Sequence, residues 1–208
     1  MGDAMGLFEA IHTQRAIRRY KLDPVPDDVL QQVLEAATRA PSGGNRQPWR
    51  FVVVRKPEVK EKIARYYRMS VEGTYGPRLG PPEAEPDTPA AKRRFESRQW
   101  FIQNFGRIPV LIFVCADMSG LAPGMTPDQM GSSIFPAVQN LMLAARALGL
   151  GTVLTTLWKR HEQEMKGVLG IPDNVAPLAL IPLGYAEDRF GGSKRKPLSE
   201  VVHYDGWA

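Results

Sequence analysis

The chain has little of what would place it in several common classes of protein. Its 208 residues contain a single cysteine, Cys115, so no disulfide forms within the chain and a reducing compartment is expected. Its three histidines are far apart in sequence and have no metal-binding spacing. No segment approaches the run of about 18 apolar residues that spans a membrane, and the first residues lack the pattern of a signal peptide. We expect a cytoplasmic protein with no metal site and no membrane partner.

The glycine-rich Gly-x-Gly-x-x-Gly loop of a dinucleotide-binding domain is also missing. The formal net charge is +5, which can indicate a nucleic-acid partner. However, the basic residues are scattered, without a basic helix or zinc-finger spacing, and we expect no nucleic-acid partner. A solvated surface and a phosphate-bearing cofactor account for the excess charge more simply.

The composition is that of a globular protein, with 43% hydrophobic and 24% charged residues. The length suits a single domain over residues 1–208. Helical and strand patterns intermix without a regular alternation, which favours an α+β fold. Cys115 lies in an apolar run and is predicted to be an inert core thiol. The patterns predict helices over residues 7–13, 90–104, 132–148 and 161–169, and two further helices that begin from a cap at Asp27 and at Pro57. They predict strands over residues 50–54, 110–116 and 178–183. Residues 152–156 form a β-branched segment.

Residues 70–88 lack periodicity and are rich in glycine, proline and acidic residues. The segment is too long for an ordinary connection, and it is interpreted as an irregular insertion that forms a lid or pocket wall, or else a surface excursion. The helix that follows carries the most aromatic patch of the chain. This patch is a candidate wall for a flat substrate, with core packing as the alternative. Its members are Phe95, Trp100, Phe101 and Phe105.

The loop PSGGNRQPWRF, residues 41–51, connects an amphipathic helix to an apolar run. Its two glycines let the backbone approach a ligand where a side chain would block it, and its prolines stiffen it. The polar side chains between them suit the edge of a flat heterocycle. Ordinary helix-to-strand turns have a similar composition, so the loop alone leaves both interpretations open.

The same loop resembles the P-S-x-x-N-x-Q-P-W-x-F segment of the nitroreductase family of FMN-dependent oxidoreductases. The resemblance implies a small mixed sheet flanked by helices, in an intertwined homodimer with flavin at the interface and both subunits contributing to each site. No match is found over residues 66–105, where we expect a variable lid or insertion at about 70–105. Further blocks resemble the family in the family's order, namely RAIRRY at 15–20, AARALGLGT at 144–152, IPLGY at 181–185 and KRKPL at 194–198.

The resemblance also implies which residues hold the FMN phosphate. Arg15 and Arg18 match the family's basic cluster, and a guanidinium fork suits phosphate geometry. The family often has arginine where this chain has Gln14 and serine where it has Ala16, which offers only its backbone N–H. Arg195 matches a C-terminal basic residue that also reaches the phosphate. Lys194 or Lys196 takes that role if the register shifts by one.

Two further stretches match positions around the flavin ring. One approaches the ring and ribityl chain from the second subunit, and the other lies against the opposite side of the isoalloxazine. Some nitroreductases have Glu-Gly in the latter, where this chain has Thr156-Leu157, so the local hydrogen bonds differ. The first stretch comprises Pro41, Ser42, Gly43 and Asn45, and the second comprises Thr155, Thr156 and Leu157.

The activity implied by the resemblance is electron transfer from NADH or NADPH to a small flat acceptor, such as a nitroaromatic or a quinone. Donor and acceptor would use one pocket in turn, with ping-pong kinetics. Because the flavin carries the chemistry, no catalytic side chain is expected. Alternatives within the family are a dehalogenase, an enone reductase, a flavin-consuming enzyme or a deazaflavin-linked enzyme. A non-catalytic flavin-storage protein is the alternative from another class.

Overall fold

Helices and strands intermix along the chain in the α+β arrangement that the sequence predicts. The computed structural model describes residues 5–76, 88–120 and 124–207. Most boundaries lie within two residues of the predicted ones. The helices are α1 (Leu7–Thr13), α2 (Asp27–Thr38), α3 (Pro57–Tyr75), α4 (Pro89–Asn104), α5 (Gly131–Ala147) and α6 (Glu162–Leu169), and the strands are β1 (Trp49–Val54), β2 (Val110–Asp117), β3 (Leu150–Thr152) and β4 (Val175–Tyr185).

The four strands form one sheet in the order β1-β2-β4-β3, and each neighbouring pair is antiparallel. The expectation of a mixed sheet is therefore wrong for these strands. In the described part of the chain, the parallel component is one isolated bridge between Ala16 and Thr152. This bridge places the residues that follow α1 directly beside the edge strand β3.

Central strand β2 is buried on both faces of the sheet. Successive side chains of a strand point to opposite faces, so Ile112 packs in one core with α2 and α5, and Phe113 packs in the other with α3, α4 and α6. A continuous apolar run is typical of such a strand. Cys115 is fully buried, as predicted, and burial raises the pKa of its thiol to about 12.

The largest departure from the predicted elements concerns the segment after residue 70. Helix α3 continues to Tyr75, so residues 70–75 are helical and not irregular. Ser70 and Val71 are almost fully buried, and this burial offsets the low helix propensity of Gly73. Residues 77–87 of the predicted insertion lie outside the described residues. Helix α4 begins after Thr88, whose side chain accepts a hydrogen bond from the Ala91 N–H.

Two smaller predictions are also corrected. Asp27 is the first residue of α2 and not its cap, because Pro26 precedes the helix and no side chain caps it. Strand β3 ends at Thr152, and the rest of the β-branched segment contacts the sheet through one isolated bridge from Thr155 to Leu180. Helix α5 is buried along most of its length as predicted, although Phe135 is 44% exposed. None of the helices in the described ranges combines the length and apolar character that a membrane crossing requires.

Candidate functional site

A cavity of about 940 Å³ opens between α3, α4, residues 153–157 and residues 187–189. Its volume is near the upper end of ligand pockets, which span about 300–1,000 Å³. Six arginines line it, together with two carboxylates and several apolar side chains. We call it the arginine cavity. A shallower groove between α2 and Phe51 is far more open to solvent and lacks a cluster of cations.

One wall of the cavity is residues 15–18, which we call the arginine loop. Ile17 is fully buried and its N–H donates to the Thr152 carbonyl at 3.0 Å. The hydroxyl of Tyr20 donates to the Ile17 carbonyl at 2.6 Å. The loop lies so close to β3 that a Cβ on Gly151 would be 2.6 Å from the Ile17 Cγ2 atom. Glycine at 151 therefore permits the loop to pack on the sheet edge.

The carboxylate of Asp188 joins this loop to helix α4. One of its oxygens accepts from the backbone N–H groups of Arg18 and Arg19 at 3.3 and 3.0 Å, and from the Ser97 hydroxyl at 2.8 Å. Such hydrogen bonds to a charged acceptor are the stronger kind. Asp188 is not among the residues that the sequence predicts for the site. Its only signal in the sequence is an acidic residue shortly after the last strand.

Arg15 and Arg18 both line the cavity, with Ala16 between them. In the described part of the chain, neither guanidinium has a hydrogen bond or ion pair with the protein. Arg18 is half-buried, and a partly desolvated cation without a partner is unfavourable. Two convergent guanidinium groups suit an anion with several acceptor oxygens. The donors present therefore fit the phosphate of a cofactor such as FMN.

The opposite wall is built around Thr155, which three hydrogen bonds hold in place. Its N–H donates to Leu180 at 3.1 Å, and its carbonyl accepts from the Trp158 indole at 2.8 Å. Its hydroxyl lies 3.0 Å from the Tyr67 hydroxyl. Burial raises the pKa of Tyr67 to about 12, so this phenol is neutral near pH 7. Leu157 also lines the cavity, whereas the neighbouring threonine at 156 is exposed and does not.

The predicted residues Pro41, Ser42, Gly43 and Asn45 lie outside the arginine cavity. They belong to what we call the glycine loop, residues 41–47, which with the start of α5 forms a separate cleft of about 240 Å³. Apart from half-buried Ser42, these residues are exposed. The backbone turns through positive φ at Gly44, Asn45 and Gln47, with values of 58°, 53° and 50°. Such φ values in non-glycine residues are uncommon and concentrate at functional sites.

Lys194 and Arg195 lie in the exposed tail and do not line the cavity. The Arg195 guanidinium donates to the Lys194 carbonyl at 3.2 Å, and Lys196 is 3.8 Å from Glu200. Within one chain, the structure therefore brings together only part of the predicted site. The residues that it brings together are Arg15, Ala16, Arg18, Thr155 and Leu157.

Helix α4 supplies most of the remaining wall, including three arginines that the sequence does not predict for the site. Of the predicted aromatic patch, Phe101 lines the cavity. Phe105 lies in the core and stacks on Tyr67 with ring centroids 4.0 Å apart, and Trp100 packs against Tyr20. The available signal for the arginines is their helical spacing, because Arg94 and Arg98 are four residues apart.

Comparison with known proteins gives concordant results in sequence and in structure. A model of the nitroreductase family matches residues 11–185. A Methanothermobacter thermautotrophicus protein, provisionally named NADH dehydrogenase/NAD(P)H nitroreductase, is 32% identical over 206 residues, which are 98% of this chain and 88% of that protein. Human iodotyrosine deiodinase 1 is 30% identical over 202 residues, covering 94% of this chain and 67% of that protein.

The structural comparison extends the similarity to the fold. An oxidized iodotyrosine deiodinase bound to FMN and 3-iodo-L-tyrosine superposes with a TM-score of 0.76 at 27% identity. The match covers 97% of this chain and the whole of that one. The similarity therefore spans nearly all of the chain.

Proposed function

The chain belongs to the nitroreductase family of flavin-dependent NAD(P)H oxidoreductases, and on that premise we propose that it uses FMN and reduces a small flat acceptor such as a nitroaromatic or a quinone. We further propose that residues 1–208 act as a single domain. The observation that carries the proposal is the pair of guanidinium groups, Arg15 and Arg18, which face a large cavity without partners among the described residues. An anionic, partly apolar cofactor fits this arrangement.

The chain's own residues would bind and orient the cofactor. Arg15 and Arg18 hold the phosphate, and the backbone N–H of Ala16 lies between them. Thr155 and Leu157, on either side of exposed Thr156, lie against the ring. When bound, FMN supplies the reversible electron storage that no side chain here provides. The neutral phenol of Tyr67 fixes the Thr155 hydroxyl and needs no proton transfer of its own.

The glycine loop and the tail enter this proposal through a homodimer. In the proposed dimer Pro41, Ser42, Gly43 and Asn45 complete the arginine cavity of a second copy, and Lys194 and Arg195 reach its phosphate. Large apolar side chains exposed on the chain surface support this arrangement, because their burial at an interface would be favourable. Phe8 is 73% exposed, Leu198 is 75% exposed and Trp207 is 90% exposed.

The kinetic expectation is a ping-pong mechanism in which the nicotinamide donor leaves before the acceptor enters. The arginine cavity offers both molecules one place to react, and the sequence contains no separate glycine-rich dinucleotide loop. Initial rates at several fixed acceptor concentrations should therefore give parallel double-reciprocal lines. Intersecting lines would indicate that donor and acceptor are bound together.

The first test is the visible spectrum of the purified protein, followed by anaerobic titration with NADH and with NADPH. We expect flavin bands near full occupancy that bleach with at least one donor. A colourless protein that also takes up no added FMN would overturn the proposal, and a deazaflavin would then be tested. A protein that holds flavin but oxidises neither donor with a nitroaromatic or quinone acceptor would be a storage protein.

Reductive dehalogenation is the second candidate, favoured by the similarity to iodotyrosine deiodinase in sequence and fold. The two activities are distinguished by incubating the reduced protein with 3-iodotyrosine and with a nitroaromatic of similar size. Release of iodide at a rate above that of nitro reduction would favour the dehalogenase. Nitro or quinone reduction without iodide release would favour the first candidate.

A further inference from the structure

The C-terminal part of helix α3 forms one wall of the arginine cavity. Tyr67, Val71 and Tyr75 line the cavity, and their spacing of four residues places them on one face of the helix. Tyr67 and Val71 are almost fully buried, whereas Tyr75 is 42% exposed. The third aromatic ring of the described lining, Phe101 of α4, is 3% exposed. Of these rings, Tyr75 therefore has the most surface left for a flat ligand.

The last turn of α3, which carries Tyr75, depends on support from outside the helix. Residues 72–75 are all exposed, so burial contributes little to holding them in place. The last four carbonyl groups of a helix lack the partner that an inner turn provides. Here the Gly76 N–H satisfies the carbonyl of Glu72. The glycine at 73 also lowers the helix propensity of this turn.

Arg160 supplies support of this kind. Its Nη1 atom donates to the Gly73 carbonyl at 2.9 Å and to the Thr74 hydroxyl at 3.2 Å. The Thr74 hydroxyl donates in turn to the Ser70 carbonyl at 2.8 Å, so its hydrogen is used within the helix and its oxygen accepts from the guanidinium. A cation that bonds the last carbonyls of a helix also complements the negative end of the helix dipole.

The backbone that carries Arg160 is itself fixed to the cavity wall. Trp158, two residues earlier, is fully buried and packs edge-on against Phe113 with ring centroids 5.5 Å apart. The Trp158 indole N–H donates to the Thr155 carbonyl at 2.8 Å. Thr155 and Leu157 line the cavity. Arg160 therefore connects the last turn of α3 to the wall against which the flavin ring is proposed to lie.

We propose that Arg160 is a positioning residue for the acceptor, because it ties the last turn of α3 to the Thr155 wall and so holds the Tyr75 ring in the cavity. This inference rests on the proposed function and adds to it a residue that acts on acceptor binding without lining the cavity. Without these hydrogen bonds the exposed last turn opens more often, and the ring loses its fixed place. Acceptor binding then weakens, whereas the cofactor stays bound through the arginine loop.

Amide hydrogen exchange of the purified protein tests the support itself and needs no activity. Arg160→Ala should quicken exchange at residues 74–76 by about two- to tenfold, the range for a hydrogen bond of modest net strength. Arg160→Lys keeps a charged donor and should restore part of the protection. Arg65→Ala, which removes an exposed guanidinium elsewhere on α3, is the matched control and should leave exchange unchanged. Unchanged exchange in Arg160→Ala would overturn the inference.

The role in the site is tested on the holoprotein with 4-nitrobenzamide as the acceptor and 4-aminobenzamide, which is not reduced, as a ligand. Arg160→Ala should raise the acceptor KM and the calorimetric Kd of the amine by about two- to tenfold, with kcat and the Kd of FMN unchanged. Tyr75→Ala should raise both as well, and adding Arg160→Ala to it should have no further effect, because the ring is already missing. A further rise in the double variant would overturn the inference.

The remaining outcomes separate this inference from the proposed function. Faster exchange in Arg160→Ala with an unchanged acceptor KM would give the residue a purely structural role and refute the inference alone. A weaker Kd of FMN with an unchanged acceptor KM would also refute it, by assigning Arg160 to the cofactor. A protein without turnover that binds 4-aminobenzamide, more weakly in Arg160→Ala, would refute the proposed function and keep the positioning role. Neither turnover nor binding would refute both.

Discussion

The arginine loop and the glycine loop are both predicted to contact the same cofactor, yet the fold holds them in opposite ways. The arginine loop has buried Ile17 as its anchor and hydrogen bonds to β3, Tyr20 and Asp188. The glycine loop is mostly exposed and has three residues with positive φ. Its contact with the rest of the chain includes one hydrogen bond from the Gly43 N–H to Ser133 at 3.3 Å.

On the proposed function, this difference would mean that one half of the site is completed within the chain and the other half by a second copy. A strained, exposed loop is retained only where a function or a neighbour compensates for the strain. The two loops should therefore respond differently to substitution. Changes in the arginine loop should weaken both the fold and the site, whereas changes in the glycine loop should weaken the site without destabilising the fold.

The largest effect is expected from removing the phosphate ligands. Arg18→Ala combined with Arg195→Ala should strip the flavin, because each charge-assisted hydrogen bond contributes about 1.5–3 kcal/mol. Flavin occupancy from the visible spectrum, and the Kd of added FMN, measure the loss. The single variants Lys194→Ala, Arg195→Ala and Lys196→Ala show which basic residue of the tail takes part. A double variant purified with full flavin would exclude both residues.

A smaller effect on flavin, with a clear effect on the fold, is expected for Gly151→Ala. The new Cβ would lie 2.6 Å from Ile17 Cγ2, so the arginine loop must shift, and overpacking of this kind costs about 1–3 kcal/mol of the free energy of unfolding. Urea denaturation and FMN titration measure both consequences. Gly167→Ala, where nothing lies within 4 Å of the added Cβ, is the control. If Gly151→Ala loses no stability, the packing argument is wrong.

Asp188→Asn tests whether one carboxylate joins the arginine loop to α4. The loss of charge should weaken its hydrogen bonds to Arg18, Arg19 and Ser97, by about 1 kcal/mol in total stability. Amide hydrogen exchange should then quicken at residues 18 and 19 and in α4 together. Ser97→Ala should loosen α4 with little change at the loop. Equal exchange in Asp188→Asn and the unmodified protein would contradict the proposed connection.

A substitution in the glycine loop should make the fold more stable and flavin binding weaker. Gln47→Gly removes the side chain from a residue at φ 50° and should raise the free energy of unfolding by up to about 1 kcal/mol. Flavin affinity should fall at the same time, because the loop loses its fixed conformation. The thermal midpoint and the FMN Kd, measured on the same samples, decide this. If the thermal midpoint and the affinity for FMN both rise, the strain has no role at the site.

The smallest effect at neutral pH is expected for Tyr67→Phe, which removes one hydrogen bond to Thr155 and costs about 1 kcal/mol. Burial raises the pKa of Tyr67 to about 12, against the lowering effects of Thr155 and Arg18. The contribution of the neutral phenol to the free energy of unfolding is therefore fully present below about pH 10. It is lost as the pH rises through 12, by about 1.4 kcal/mol per pH unit for one group. The variant should show a shallower fall between these pH values in urea denaturation.

The sequence predicts the elements of the fold well, because apolar periodicity is strong where two faces of the sheet are buried. It does not predict that α3 extends past residue 70, since the burial of Ser70 and Val71 depends on tertiary contacts. It places Arg15, Arg18, Thr155 and Leu157 at a site, and the structure brings them to one cavity. Spacing gives only a weak signal for residues that reach the cavity through contacts formed in the folded chain. Asp188 and the arginines of α4 are of this kind.

The hydrogen bonds of Asp188 also have a consequence for engineering this protein. Ser97 joins α4 to that carboxylate at 2.8 Å, so position 97 should stay constant when the cavity is redesigned. A library that varies position 102, which also lines the cavity, while keeping 97 constant should change the cavity wall without loosening the arginine loop. On the proposed function, libraries that also vary position 97 should yield many variants that purify without flavin.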